Sequence, residues 1–213
     1  MIKIFLNLLL CVLIQNATGW AEIAPSEALQ RLQEGNQRYI DGKLLHPDRS
    51  EERRLATAEE QNPFAVIVGC SDSRASPEIL FDQGIGDLFI VRVAGNVVGP
   101  IEINSVEFAV EYLGASLVLV MGHENCGAVR AVMNGTTQDI EAVAAKIQPA
   151  IRKLPKKGPY ALNNAIKANA RYVAQELREI PLIKKLIDKN TLEILPAFYD
   201  FDTGKVEIIE NFK

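Results

Sequence analysis

The chain has 213 residues, of which 48% are hydrophobic and 23% charged, enough for the core of one α/β-sized domain and short for two. Its 23 basic and 27 acidic residues leave a net charge of -4 and a pI near 5.4. That balance excludes the basic footprint of a nucleic-acid-binding protein, and the pairs Arg53-Arg54 and Lys156-Lys157 read as solvated faces.

Residues 1–21 read as a secretory signal peptide: Lys3, an apolar run from Ile4 to Ile14, then small residues before Glu22. Asn7, Gln15 and Asn16 hold the run below the ~18 apolar residues that span a bilayer, so no stable membrane anchor is expected after processing. Cleavage after Ala21 leaves residues 22–213 as a single domain, periplasmic or secreted. Leu10 stands where lipidation at Cys11 would want a small residue, which argues against a lipoprotein. Two cysteines remain, Cys70 and Cys126. In an exported protein such a pair can form a disulfide or bind a metal, and counting alone does not choose.

Ser26 can cap a first helix that sets Leu29, Leu32, Asn36, Tyr39 and Ile40 along one side and ends at Gly42. A charged stretch punctuated by Pro47 and Pro63 follows, with a short helix expected from Ser50 to Glu60. Phe64 to Gly69 is a continuous apolar run without alternation, the mark of a strand buried on both faces of a parallel sheet. Similar runs recur at Leu88 to Val93 and Leu117 to Met121, with helical spacing at 76–83 and 102–113 between them. Further helices are expected at 127–133, 138–152, 160–179 and 182–188. Thr191 to Phe201 and Lys205 to Ile209 read as two strands joined at Asp202-Thr203-Gly204. The fold class is therefore α/β: a central, mainly parallel β-sheet flanked by helices, with an antiparallel C-terminal edge hairpin.

Ligands of such sheets bind beyond the carboxyl ends of the strands. Cys70-Ser71-Asp72-Ser73-Arg74 follows the first run, and Gly122-His123-Glu124-Asn125-Cys126-Gly127 follows the third. Cys70, His123 and Cys126 offer two thiolates and an imidazole, a donor set that suits one Zn2+ per subunit and leaves a fourth position for water. Two thiolates offset the charge of the ion, so its water should be less acidic than in a three-histidine site and activity should rise with pH. Asp72 and Arg74, two apart, can face the same side, where the guanidinium would hold the carboxylate off the metal.

These segments resemble the signature of the β-class carbonic anhydrases, and the likeness runs from about Leu29 to the C-terminal hairpin, including Glu34-Gly35-Asn36 and Arg92 to Asn96. The resemblance implies reversible hydration of carbon dioxide to bicarbonate and a proton, by a homodimer or homotetramer. It also implies Cys70, His123 and Cys126 on zinc, with Asp72 and Arg74 as a catalytic pair. Gly127 would offer its backbone N–H to the substrate, Gln61 would hydrogen-bond it, and Phe89 and Phe108 would be apolar walls, often across a dimer interface. Relatives with an inhibitory bicarbonate site have a Trp three residues before the first ligand; Ile67 stands there, so that inhibition is not expected. Val93-Ala94-Gly95 replaces an Asn-Val-Ala of many relatives. Hydrolysis of carbon disulfide or carbonyl sulfide at the same site, and a non-catalytic zinc or thiol redox protein, are the alternatives. His46, in a Pro-flanked loop, reads as a surface residue, and no Gly-x-Ser-x-Gly elbow or dinucleotide glycine loop is present.

Overall fold

The computed structural model describes residues 23–209. The segment read as a signal peptide, with its cleavage site at Ala21, lies outside the described residues.

Five strands form one sheet: β1 (Ala65–Gly69), β2 (Leu88–Arg92), β3 (Leu117–His123), β4 (Glu193–Tyr199) and β5 (Val206–Ile208), in the order β2-β1-β3-β4-β5. The first four are parallel and β5 is antiparallel to β4. The expected hairpin is thus present, but its first strand continues the parallel sheet, and the antiparallel character belongs to β5 alone.

The central runs lack polar alternation because both faces are covered. Val66, Val68, Val118, Val120 and Ile194 point into one layer, and Ala65, Ile67, Leu117, Leu119 and Met121 into the other, all almost wholly buried. Each such side chain removed from water contributes roughly 1.5–3 kcal/mol. The thicker layer packs α4 (Pro100–Tyr112), α5 (Gly127–Asn134), α6 (Glu141–Ile151), α7 (Ala161–Arg178) and α8 (Pro181–Asp188) on the sheet. Ala165, Ala170 and Ala174 let α7 lie close; a Cβ on Gly122 of β3 would come within 2.8 Å of Ile166. The thinner layer is α1 (Pro25–Ile40) and the single turn α3 (Pro77–Leu80); α2 (Glu51–Ala56) buries no residue.

Helix ends depart from expectation for identifiable reasons. α1 starts one residue before Ser26, with Ala24 as cap and Pro25 at the first helical position, where the fixed φ of proline is already helical and its missing N–H costs nothing. It closes at Ile40, where Gly42 (φ 65) lets the N–H groups of Gly42 and Lys43 return to the carbonyls of Tyr39 and Arg38. α2 does begin at Ser50, whose Oγ accepts from Arg53 N–H, but Thr57 ends it by turning its hydroxyl back onto the Arg53 carbonyl. α3 and α6 are shorter than 76–83 and 138–152 because Asp82 (φ 47) and Asp139 (φ 66) are left-handed and cannot continue a helix.

Candidate metal centre

β1 and β3 are parallel neighbours in register, Gly69 opposite Met121, so their carboxyl ends emerge side by side. Cys70 follows β1, while His123 is the last residue of β3 rather than a loop residue beyond it. Asn125 at φ 55 turns the chain sharply, and Cys126 becomes the N-cap of α5. The three donor atoms lie within 4.8 Å of one another and all three residues are buried. Neither cysteine is in a disulfide.

The imidazole has a defined orientation. Its Nδ1 lies 2.8 Å from the Glu124 carbonyl oxygen, which can only accept, so Nδ1 carries the proton and Nε2 presents its lone pair. Nε2 is buried with no hydrogen-bond partner, an arrangement that costs free energy unless a cation takes that lone pair.

The sulfurs sit among donors. Gly95 N–H donates to Cys70 Sγ at 3.2 Å, and Gly95 is itself held by Asn169 Nδ2 on its carbonyl at 2.8 Å. The Ala128 and Val129 N–H groups at the start of α5 favour a thiolate at Cys126. The neighbouring Cys126 thiol pushes Cys70 well down, against the burial that would raise it. Cys126 is pushed up by the same contact and by burial. Burial would lower His123, but the charge on the neighbouring Cys70 sulfur, the hydrogen bond to the Glu124 carbonyl and the charge on Asp72 raise it. Two sulfurs and one imidazole around an unpartnered lone pair fit a borderline divalent cation.

Two arginines fix the loop after β1. Arg74 grips the Asp72 carboxylate with two bonds, Nε to Oδ1 at 2.9 Å and Nη2 to Oδ2 at 2.8 Å, and adds its backbone N–H to Oδ1 at 3.0 Å. The hydrogen bonds from Arg74 hold the Asp72 carboxyl well below the usual carboxylate range. Arg92, at the end of β2, donates Nε to the Cys70 carbonyl at 2.8 Å and Nη2 to the Asp72 carbonyl at 2.6 Å. Asp72 Oδ2 then stands 3.8 Å from His123 Nε2.

Cys70, His123, Cys126, Asp72 and Arg74 therefore meet as the sequence suggests. Gly127 opens α5 beside them, exposed, with nothing within 4 Å of where a Cβ would stand. Gln61, Phe89 and Phe108 do not join them. Gln61 is exposed and precedes β1, at the amino end of a strand whose carboxyl end carries Cys70. Phe89 pairs with Val66, three steps down β2 from Arg92, and meets Phe108 of α4 at 6.5 Å between ring centroids. His46 is exposed, as expected.

Arg92, Gly95, Asn169 and Phe201 have contacts at the centre that residue types and spacing did not announce. Phe201 had a usable signal: β4 is parallel, so the residues after Tyr199 emerge at the same end of the sheet as the cluster.

The family model described as carbonic anhydrase matches residues 65–206. A carbonic anhydrase of Mycolicibacterium smegmatis is 34% identical over 194 residues, covering 86% of this chain and 93% of that protein. The β-carbonic anhydrase CafA of Aspergillus fumigatus superposes with a TM-score of 0.68 at 22% identity, over 88% of this chain and 91% of that one. One of two tetrameric β-carbonic anhydrases from Sordaria macrospora does so with a TM-score of 0.60 at 20% identity, over 85% and 96%. At these identities the two structures speak to the fold alone.

Proposed function

The chain belongs to the β-carbonic anhydrase family, and from that premise we propose that it hydrates carbon dioxide reversibly with one zinc ion per subunit, held by Cys70, His123 and Cys126. The observation that carries the zinc assignment is the buried trio itself: three donor atoms within 4.8 Å, one of them an imidazole nitrogen without a partner. Bound there, zinc supplies the Lewis acidity that makes water a nucleophile near neutral pH.

The side chains do the rest. Asp72, ionised and held by Arg74, accepts a hydrogen bond from the attacking water and aims its lone pair at the carbon. As the oxygen–carbon bond forms, one carbon–oxygen π bond breaks and places charge on oxygen. The proton passes to solvent and bicarbonate remains. Gly127, with open space above its backbone at the start of α5, offers its N–H to that anion in preference to the neutral substrate.

Gln61, Phe89 and Phe108 complete the pocket of a second copy in this reading, since their own chain keeps them away from its cluster. A homodimer or homotetramer follows, supported by the exposed Ile101, Phe108 and Tyr112 on α4 beside the edge strand β2. Residues 1–21 direct export to the periplasm or beyond, and mature protein beginning at Glu22 on N-terminal sequencing is the expected result.

Metal analysis with stopped-flow carbon dioxide hydration tests the proposal. Stoichiometric zinc, loss of turnover on chelation with recovery on adding zinc back, and a loss of about 10²–10⁴-fold in Asp72→Ala are expected. Metal-free active protein, or active protein with Cys70 and Cys126 bonded to each other, would sink it.

A further inference from the structure

Phe201 lies outside every motif above, yet both its side chain and its backbone touch the candidate centre. The Arg74 guanidinium carbon is 4.4 Å from the centroid of its ring. The same ring lies 5.3 Å from the His123 imidazole, tilted by 32°. Its place is fixed from behind. The Phe201 N–H donates to Glu124 Oε2 at 3.1 Å, Tyr199 meets the ring edge-on at 5.1 Å, and Asn36 Nδ2 holds the turn through the Gly204 carbonyl at 2.9 Å.

Arg74 needs such support. Its side chain is 56% exposed, and an exposed ion pair by itself holds a long side chain weakly. A flat aromatic face under the guanidinium adds attraction and fixes the plane of the fork. The consequence reaches Asp72, whose Oδ2 is already 3.8 Å from the lone-pair nitrogen of His123. A carboxylate oxygen is itself a zinc ligand, and once released by Arg74 it could take the fourth position and shut the site.

We propose that Phe201 is a positioning residue for this reaction: its ring holds Arg74 in its two-pronged grip on Asp72 and so keeps that carboxylate from closing the metal site. The proposal rests on the metal-site reading above and acts entirely through Arg74.

The test compares Phe201→Leu, which keeps bulk but removes the ring, with Phe201→Trp, which keeps an aromatic face. Each apoprotein is titrated with Co2+ alone, its visible spectrum recorded, and release of the ion to a chelator timed. Phe201→Leu should move the spectrum towards that of a site ligated by protein alone, slow the release, and lower kcat/KM about two- to fivefold. Phe201→Trp should restore all three. Arg74→Ala should show the closed-site spectrum by itself, and adding Phe201→Leu to it should change nothing more. Should Phe201→Leu not fold, Phe201→Met carries the same expectations. A folded Leu or Met variant that matches wild type, or an effect that adds in full to Arg74→Ala, overturns the role of Phe201 and leaves the metal reading standing. Wild-type protein that takes up no Co2+ overturns both.

Discussion

Asp82 carries a charge in a place that water does not reach, its side chain 0% exposed, and it survives because both carboxylate oxygens accept from donors. Arg38 Nε reaches Oδ2 at 2.7 Å, and the N–H groups of Leu45 and His46 reach Oδ2 and Oδ1 at 2.9 and 3.0 Å. Burial alone would raise its pKa; the hydrogen bonds from Arg38 and the two backbone groups outweigh it and hold the carboxyl below its ordinary value. A carboxyl depressed in the folded state stabilises the fold fully above its unfolded pKa of about 3.9, and that contribution is lost as pH falls from there towards the folded value. Asp82→Asn keeps the shape and tolerates the left-handed backbone, but leaves Arg38 unpaired and turns an N–H donor on N–H donors. It should cost roughly 3–5 kcal/mol at neutral pH, and the gap to wild type, read from urea midpoints, should narrow below about pH 4. A gap that widens on acidification would contradict this account.

α1 has no catalytic residue, yet it sets the position of the turn that carries Phe201. A Cβ on Gly35 would lie 1.7 Å from the Phe81 carbonyl oxygen, so α1 touches the end of α3 backbone to backbone. The next residue exploits that approach: Asn36 donates to the Leu80 and Gly204 carbonyls and accepts from Val206 N–H, joining helix, turn and edge strand through one amide. Gly35→Ala must push the two elements apart and should cost at least about 1–3 kcal/mol, with kcat/KM falling as the turn shifts. Thermal melts and initial rates check it, and unchanged values for both would show that the contact is slack. Asn36 and Gly35 lie in a segment the sequence marked by resemblance, but their purpose needs three-dimensional contacts to see. The buried runs of β1 and β3 were legible because two covered faces demand apolar residues at every position, and the metal trio because a Cys at one strand end and His-x-x-Cys at another have few other uses. α1 starts at Pro25 rather than after a Ser26 cap, because the fixed φ and missing N–H of proline suit the first helical position. Gln61, nine residues before Cys70, is near it in sequence and far from it within one chain, because β1 lies between them, so a role at the substrate would need a second copy.

In the whole molecule Gln61 and Phe89 lie towards the amino ends of the strands, and the cluster of Cys70, His123 and Cys126 lies at their carboxyl ends. β1 spans five residues, and at about 3.3 Å each it separates Gln61 from Cys70 by well over 15 Å. A subunit alone therefore has the donor atoms and Asp72 but lacks the wall that Gln61, Phe89 and Phe108 would provide, so assembly and activity should fall together. Ile101 and Tyr112, 79% and 76% exposed, stand with Phe108 on one side of α4, an apolar strip next to the free edge of β2. Placing a charge at both ends of that strip, Ile101→Glu with Tyr112→Glu, touches neither the donor set nor the Asp72–Arg74 pair. Sedimentation should move towards the monomer mass, and kcat/KM should fall about tenfold or more, since a misplaced pocket wall costs rate even when the reacting groups remain. Zinc content should stay at the wild-type level, because all three donors come from one chain and are buried within it. A monomer with full turnover would show that each chain builds its own pocket; a monomer that has also lost its zinc would show that the subunit contact, and not only the fold, holds the ion in place.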